Sequence, residues 1–409
     1  MAVYNLIFLI LFLGDFVWCW KMHRRLSRFP WPVAWKIGLF TFTTVQVFGL
    51  VVLFFGRRLD LPLETSLGKP LVAGIYIWHC LVLLPLALLW LVTKAVTGPL
   101  WIGRVLTGRE RSKAVLPSES REDRTMTRRD FVSAAVCAAP AVVALGATGL
   151  AAQEWNQFRV RHMVVLIPGL PSALDGLTIA QVCDLHVGVF THGAILEQIV
   201  EATNHLQADL VLLPGDLINY SLTDLSTALG VVQRLRGKHG VFVCEGNHDL
   251  FENATEFRER TIAAGVRLLV NDTADLSVNG AAIQILGLRW GAAQGDPRAL
   301  SSRGDAAIAG SMKELLLLRR PDAFPILLAH HPHAFDFASD IPLTLSGHTH
   351  GGQMMLTKEI GFGPAMFRYW SGRYEKAGRT LVVSNGVGNW FPLRVQAPAE
   401  IVHLTLRPV

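Results

Sequence analysis

Eight side chains in five short segments could together hold a pair of metal ions: Asp184 and His186, Asp216, Asn247 with His248, His330, and His348 with His350. Neutral imidazoles, carboxylates and an amide oxygen suit borderline divalent first-row metals, and the lack of a cysteine cluster argues against a structural thiolate zinc site. One carboxylate can give an oxygen to each of two ions roughly 3.5–4 Å apart. Asp216 is the natural candidate for that bridge. Two divalent ions outweigh the charges of Asp184 and Asp216, and the surplus favours a hydroxide and an anionic phosphate. Phosphoryl chemistry is the expected use.

The segments read Asp184-Leu185-His186, Gly215-Asp216, Gly246-Asn247-His248-Asp249, His330-His331-Pro332 and Gly347-His348-Thr349-His350-Gly351-Gly352-Gln353. Most follow a short apolar run, Leu177 to Val182, Leu210 to Leu213, Val241 to Val243, Ile326 to Leu328 and Leu343 to Leu345, of the kind that forms buried strands. Between them, Ile195, Ile199, Ala202 and Leu206, and Leu222, Leu225, Leu229 and Val232, recur at helical spacing. The alternation predicts an α/β core, with polar residues gathered at the carboxyl ends of neighbouring strands.

The ordered set resembles the calcineurin-like metallophosphoesterase superfamily over roughly residues 155 to 409. Gly-His-Thr-His-Gly-Gly-Gln, Ser371-Gly372-Arg373-Tyr374, Gly386-Val387-Gly388 and Pro392-Leu393-Arg394 are similar to its membrane-associated bacterial branch. The resemblance implies a two-sheet αββα sandwich. It also implies that one ion takes Asp184, His186, Asp216 and His350, and the other Asp216, Asn247, His330 and His348. The metals would be manganese, iron or zinc. His248 would then protonate the leaving oxygen or steady charge on the phosphoryl group, with Asp249 orienting it, while a hydroxide on the metals attacks phosphorus. Cys183, Asn219 and Glu245 depart from common family residues without removing a ligand, which bears on substrate preference. A blander reading makes the acids helix caps or loop ties. A rival reading is a metal-binding, non-catalytic sensor or scaffold.

His330 is preferred over His331 by family position, and His331 and His333 read as rim residues. His192, His205 and His239 read as surface residues. Trp290, Trp370, Trp390, Phe391 and Arg394 fit a substrate rim, a lipid interface or ordinary packing.

The chain is apolar for a water-soluble enzyme, with 51% hydrophobic residues and a mean hydropathy of +0.35. That excess lies before residue 152. Three stretches are long enough to span a membrane, about 2–20, 37–55 and 71–93, and 131–152 is a weaker fourth. Basic residues concentrate in the first and third loops (Lys21, Arg24, Arg25, Arg28 and Lys36, then nine between Lys94 and Arg129), whereas Arg57, Arg58 and Lys69 are alone in the second. The positive-inside rule then puts the first and third loops in the cytoplasm and the catalytic domain outside a bacterial cell membrane. Arg128 and Arg129 before the fourth stretch resemble a twin-arginine export signal, cleaved or retained as an anchor. The expected domains are a membrane region 1–130, the fourth segment 131–152 and a catalytic domain 155–409.

Residues 1–152 carry 17 basic and 8 acidic side chains, and 153–409 carry 21 and 24. The basic excess therefore belongs to membrane flanks, and no nucleic-acid partner is expected. The expected partners are membrane lipid and a phosphate-ester substrate, favoured as a phosphodiester or pyrophosphate of a lipid or nucleotide sugar. Asp15 and His79 fall inside spans, where ionisable groups raise a functional question, although interface relief and a neutral, hydrogen-bonded imidazole are the simpler readings. Five scattered cysteines make no disulfide framework, so buried thiols are expected, with a Cys183–Cys244 bridge open to an exported domain.

Overall fold

The computed structural model describes residues 2–26, 32–56, 68–106, 127–291, 304–357 and 359–409. The chain divides into two units, Met1–Ala152 and Gln153–Val409.

The first unit is helical: α1 Ala2–Leu26, α2 Pro32–Gly56, α3 Lys69–Tyr76 continuing through a π-helical stretch Ile77–Leu83 into α4 Leu84–Leu106, and α5 Arg128–Glu154. Four apolar stretches on these helices are long enough to cross a membrane: Asn5–Leu26, Pro32–Phe55, Pro70–Gly98 and Phe131–Glu154. Large apolar side chains such as Phe48, Leu89 and Val142 are exposed, a surface that suits lipid. The third helical run passes its expected end at Thr93 and continues to Leu106, so Lys94 and Arg104 lie on helix, not in a loop. Arg28, Arg57, Arg58 and the stretch 107–126 lie outside the described residues.

Asp15 is fully buried in this unit. Trp78 Nε1 donates to its Oδ1 at 2.8 Å, and His79 Nε2 lies 2.9 Å from its Oδ2. The other ring nitrogen of His79 donates to the Ile75 carbonyl at 2.8 Å. A side chain that engages a carbonyl one turn back competes with the backbone ladder, and the π stretch is found there.

The second unit contains two six-stranded sheets. The first has the order β1 (Arg159–Ile167), β12 (Glu400–Pro408), β2 (Thr178–Gln181), β3 (Leu210–Pro214), β4 (Val241–Cys244), β5 (Leu268–Leu269). The second has β10 (Gly372–Lys376), β11 (Arg379–Val383), β9 (Leu343–Ser346), β8 (Phe324–Leu328), β7 (Ala281–Gly287), β6 (Asp272–Val278). Period-two alternation explains the layering. Leu210, Leu212 and Phe242 share one core with Ile283, Ile326 and Leu345 of the other sheet. Their neighbours Val211, Leu213 and Val243 pack with residues of α6 (Ala194–His205), α7 (Leu225–Arg234) and α8 (Ala254–Ala263). Leu286 and Leu327 of the second sheet pack with Ile308, Met312 and Leu315 of α9 (Gly304–Leu316). Both faces of these strands are covered, which is why they read as continuous apolar runs.

Candidate metal centre

The five segments that carry the expected ligands follow β2, β3 and β4, which run parallel to one another in the first sheet, and β8 and β9, which run parallel in the second. The carboxyl ends of both sheets therefore deliver side chains to one rim. Cross-sheet hydrogen bonds fix the approach: Gln181 Nε2 donates to Ser346 O at 2.8 Å, and His330 Nδ1 to Pro214 O at 2.6 Å. Asp184, His186, Asp216, His348 and His350 all have positive φ, between 45° and 72°. Left-handed backbone costs roughly 1 kcal/mol or more at a non-glycine residue and persists where its surroundings impose it. Gly215 is needed beside them, because a Cβ there would lie 2.8 Å from His330 Nδ1 at a φ of 85°.

The nitrogen and oxygen donors converge. His186 Nε2 is 2.9 Å from His350 Nε2, 3.4 Å from Asp216 Oδ2 and 3.9 Å from Asp184 Oδ1. His330 Nε2 is 3.1 Å from the same Asp216 oxygen. Asp184, His186 and His350 form one ligand-like group and Asp216, His330 and His348 a second. Asp216 Oδ2 lies close to a histidine of each, while Oδ1 accepts from His248 N at 2.9 Å. All eight expected side chains except His248 and His348 are buried, and those two are partly buried.

Three features fit cations. The Pro214 carbonyl fixes Nδ1 of His330 as a donor, so the Nε2 lone pair of the neutral ring faces Asp216, close to it but without hydrogen-bond alignment. Asn247 Oδ1 is buried with no partner. Third, the carboxylates and imidazoles crowd together with more acceptors than protons to share. His350 adds a condition. Arg394 Nη2 lies 2.9 Å from its Nδ1, and a guanidinium only donates, so a neutral His350 ring carries its proton on Nε2. A cation at Nε2 must replace that proton or Arg394 must shift.

Charge and burial pull these groups apart. Burial pushes the Asp184 carboxyl up to about 6, with Asp216 adding to the effect. Burial also opposes the charge on Asp216, but His330 and His248 outweigh it and hold this carboxyl below its usual range. His330 is the converse case. Desolvation opposes its protonation, yet Asp216 raises the ring to about 9. Burial, together with neighbouring cationic groups, holds His186, His348 and His350 well below the ordinary imidazole range.

Asp249 does not orient His248. Its carboxylate accepts from the backbone N–H groups of Asp216, Leu217, Ile218 and Gly246 at 2.7–3.1 Å. It thereby fixes the turn that presents Asp216. His248 instead donates from Nδ1 to the Asn219 carbonyl at 2.6 Å and packs against His186 and Phe251, each at 4.5 Å between ring centroids. Sequence motifs name residue types, and only the fold shows which donors a buried carboxylate meets.

The remaining expectations divide. His331 accepts from His333 N through Nδ1 and packs on Trp290 and His348 outside the ligand groups. His192, His205 and His239 belong to none of those groups. Arg394 is no interface residue: it is buried and ties together Asn389, Asn385, Ala397, Gly386 and Gly388. Gly388 closes on the first motif so tightly that a Cβ would meet the Leu185 carbonyl at 1.9 Å. Glu245 is clamped by Arg258 at 2.7 and 2.8 Å and accepts from Trp290 N, fixing the backbone of a ring 5.3 Å from His330. Trp390 is exposed, 6.3 Å from His248 and 6.4 Å from His350 between ring centroids. All five cysteines are free, and burial pushes the thiols of Cys183 and Cys244 up.

The calcineurin-like phosphoesterase family profile matches residues 177–352. The chain is similar to an uncharacterized metallophosphoesterase of Campylobacter jejuni, 32% identical over 58% of this chain and 61% of the relative. It thus spans about three fifths of that protein. It is also similar to the uncharacterized metallophosphoesterase YkuE of Bacillus subtilis, 28% identical over 69% of this chain and 98% of the relative. A third relative is the phosphodiesterase YaeI of Escherichia coli, 24% identical over 69% of this chain and 99% of that one. A match covering 69% of the chain is longer than Gln153–Val409, so it takes in residues before that unit.

Proposed function

We propose that the chain, whose residues 177–352 match the calcineurin-like phosphoesterase family profile, is a membrane-anchored, metal-dependent phosphoesterase. Its favoured substrate is a phosphodiester or pyrophosphate of a lipid or nucleotide sugar, met on the extracytoplasmic side of a bacterial membrane. Asp184, His186, Asp216 and His350 would hold one divalent ion, and Asp216, Asn247, His330 and His348 the other. Manganese, iron and zinc all suit those donors. The observation that carries the reading is the convergence on Asp216 Oδ2 of nitrogens from both ligand groups, His186 at 3.4 Å and His330 at 3.1 Å.

When bound, such ions polarise a phosphoryl oxygen and lower the pKa of water. The chain supplies the rest. His248 has Nδ1 committed to Asn219 O, so Nε2 is its one position for passing a proton to the departing oxygen. Asp249 acts through the Asp216 turn as a positioning residue, and Arg394 does the same for His350. Trp290 packs 5.0 Å from the His348 ring and Trp390 6.4 Å from the His350 ring.

The name of the Escherichia coli relative favours a diester. The four apolar helices support anchoring. The loop charges, with Arg128 and Arg129 opening α5, favour an outward catalytic unit and twin-arginine export. Purified full chain with manganese and a chromogenic phosphodiester tests the activity. Turnover in the wild type is expected, and metal bound without turnover on any phosphoester would instead favour a sensor. Protease added to spheroplasts should remove the catalytic unit; its survival there, with loss on lysis, would refute the outward orientation.

A further inference from the structure

Beyond the metal-bearing turn, the chain forms a small apolar face pointing away from the core. Met355 and Gly361 make an antiparallel bridge, Phe362 N donates to Met354 O at 3.1 Å, and Leu356 N to Ile360 O at 2.8 Å. In such a pair alternate residues share a side. Met355 is 3% exposed, whereas Leu356 is 72%, Ile360 58% and Phe362 50% exposed. The short helix α10 (Phe362–Met366) extends the same face, since Met366, 66% exposed, lies four residues beyond Phe362. The face is braced rather than loose: Met355 N donates to Val395 O at 2.9 Å and Gln396 Nε2 to Leu356 O at 2.9 Å. Those bonds join it to the loop that carries Trp390. Phe367, next in line, packs 5.6 Å from His348.

We propose that this face enters the headgroup and upper acyl region of the lipid bilayer, so that the neighbouring metal centre meets phosphate esters at the membrane surface. Clustered, ordered apolar side chains at a surface mark a contact with a protein or a membrane. The chain itself selects the membrane. Only Trp155 to Phe158 separate the end of α5, which carries the fourth apolar stretch, from the start of β1, a tether of at most roughly 18 Å when extended. With α5 in the membrane, the catalytic unit is thus tethered to the bilayer, and leaflet lipid is the apolar partner at the highest local concentration. The side chains at the turn fit as well: Thr357 and Glu359 sit between Leu356 and Ile360, where they can stay among headgroups while their neighbours go deeper. The substrate consequence rests on the phosphoesterase reading; the lipid contact rests on the membrane anchoring alone.

The test uses full-length chain reconstituted in phosphatidylglycerol–phosphatidylethanolamine vesicles, with Cys80, the one exposed cysteine, replaced by Ser. An environment-sensitive fluorophore is attached at Phe362→Cys or, as a control, at Leu317→Cys, which is 82% exposed on a different surface segment. Lipids with a shallow nitroxide should quench the label at 362 at least twofold more than the label at 317. Equal quenching overturns the proposal, as does a cysteine crosslink between two copies at 362 with no lipid quenching. Separately, Leu356→Ser with Phe362→Ser should leave turnover of a soluble chromogenic diester within twofold and lower turnover of a phospholipid diester in vesicles at least tenfold. Parallel loss on both, or on neither, contradicts the substrate consequence. If the wild type hydrolyses neither ester the phosphoesterase reading fails, and the quenching result still decides the lipid contact.

Discussion

Two of the buried aspartate–histidine pairs among the described residues begin alike and end differently. In the helical unit, His79 gives Nδ1 to a backbone carbonyl and faces Asp15 through Nε2, as in the catalytic unit His330 gives Nδ1 to Pro214 and faces Asp216. Around Asp15 the second carboxylate oxygen accepts a hydrogen bond from Trp78 Nε1, so each oxygen of that carboxylate has a partner. Around Asp216 another imidazole lies 3.4 Å away and a second carboxylate, Asp184, is near enough to repel it, and no single proton can satisfy them. The pair alone is therefore a poor sign of a metal site. Surplus acceptors around it are the better one.

Changing Asp216 should separate the pairs most sharply. Asp216→Asn removes the shared carboxylate, and turnover of a chromogenic diester should drop about a thousandfold or more, with bound metal falling alongside by elemental analysis. His248→Ala leaves the surplus acceptors intact. It should keep the metal and lower turnover about 10²- to 10⁴-fold, which separates proton transfer from metal holding.

A pH titration probes the same contrast without mutation. In metal-free protein the His330 ring, held up to about 9 against an unfolded value near 6.5, contributes stability that is whole below pH about 6.5 and is lost as pH rises through about 9. The loss is roughly 3 kcal/mol. The melting temperature of the catalytic unit should fall over that window in chelator and not in excess divalent cation, where the cation takes the place of the proton.

The smallest effect belongs to the closed pair. Asp15→Leu with His79→Leu should cost about 1–2 kcal/mol of helical-unit stability in detergent unfolding and leave diester turnover unchanged. A loss of turnover would tie the helical unit to the chemistry and dissolve the contrast.

What the sequence discloses follows the range of the interactions involved. The runs around Leu212, Phe242 and Leu345 announce buried strands because both of their faces are covered, and the motif order places the ligands at strand ends. β1 was not legible in the same way. Its sides are unevenly buried, and its parallel partner β12 lies some 240 residues onward, Arg159 beside Glu400, a pairing that no local pattern encodes. Nor does a motif say that Asp249 will meet four backbone amides or that Arg394, an interface residue by type, will end buried against His350. Each depends on loops that converge only after folding. The one local hint was the glycines at Gly386 and Gly388, which let a chain approach that a Cβ would block.

Anomalous diffraction from catalytic-unit crystals grown in manganese tests the central claim most directly. Two peaks per chain are expected, roughly 3.5–4 Å apart, one on each side of the Asp216 carboxylate. An empty cleft, or one ion with His186 and His330 on the same side of it, would contradict the shared centre.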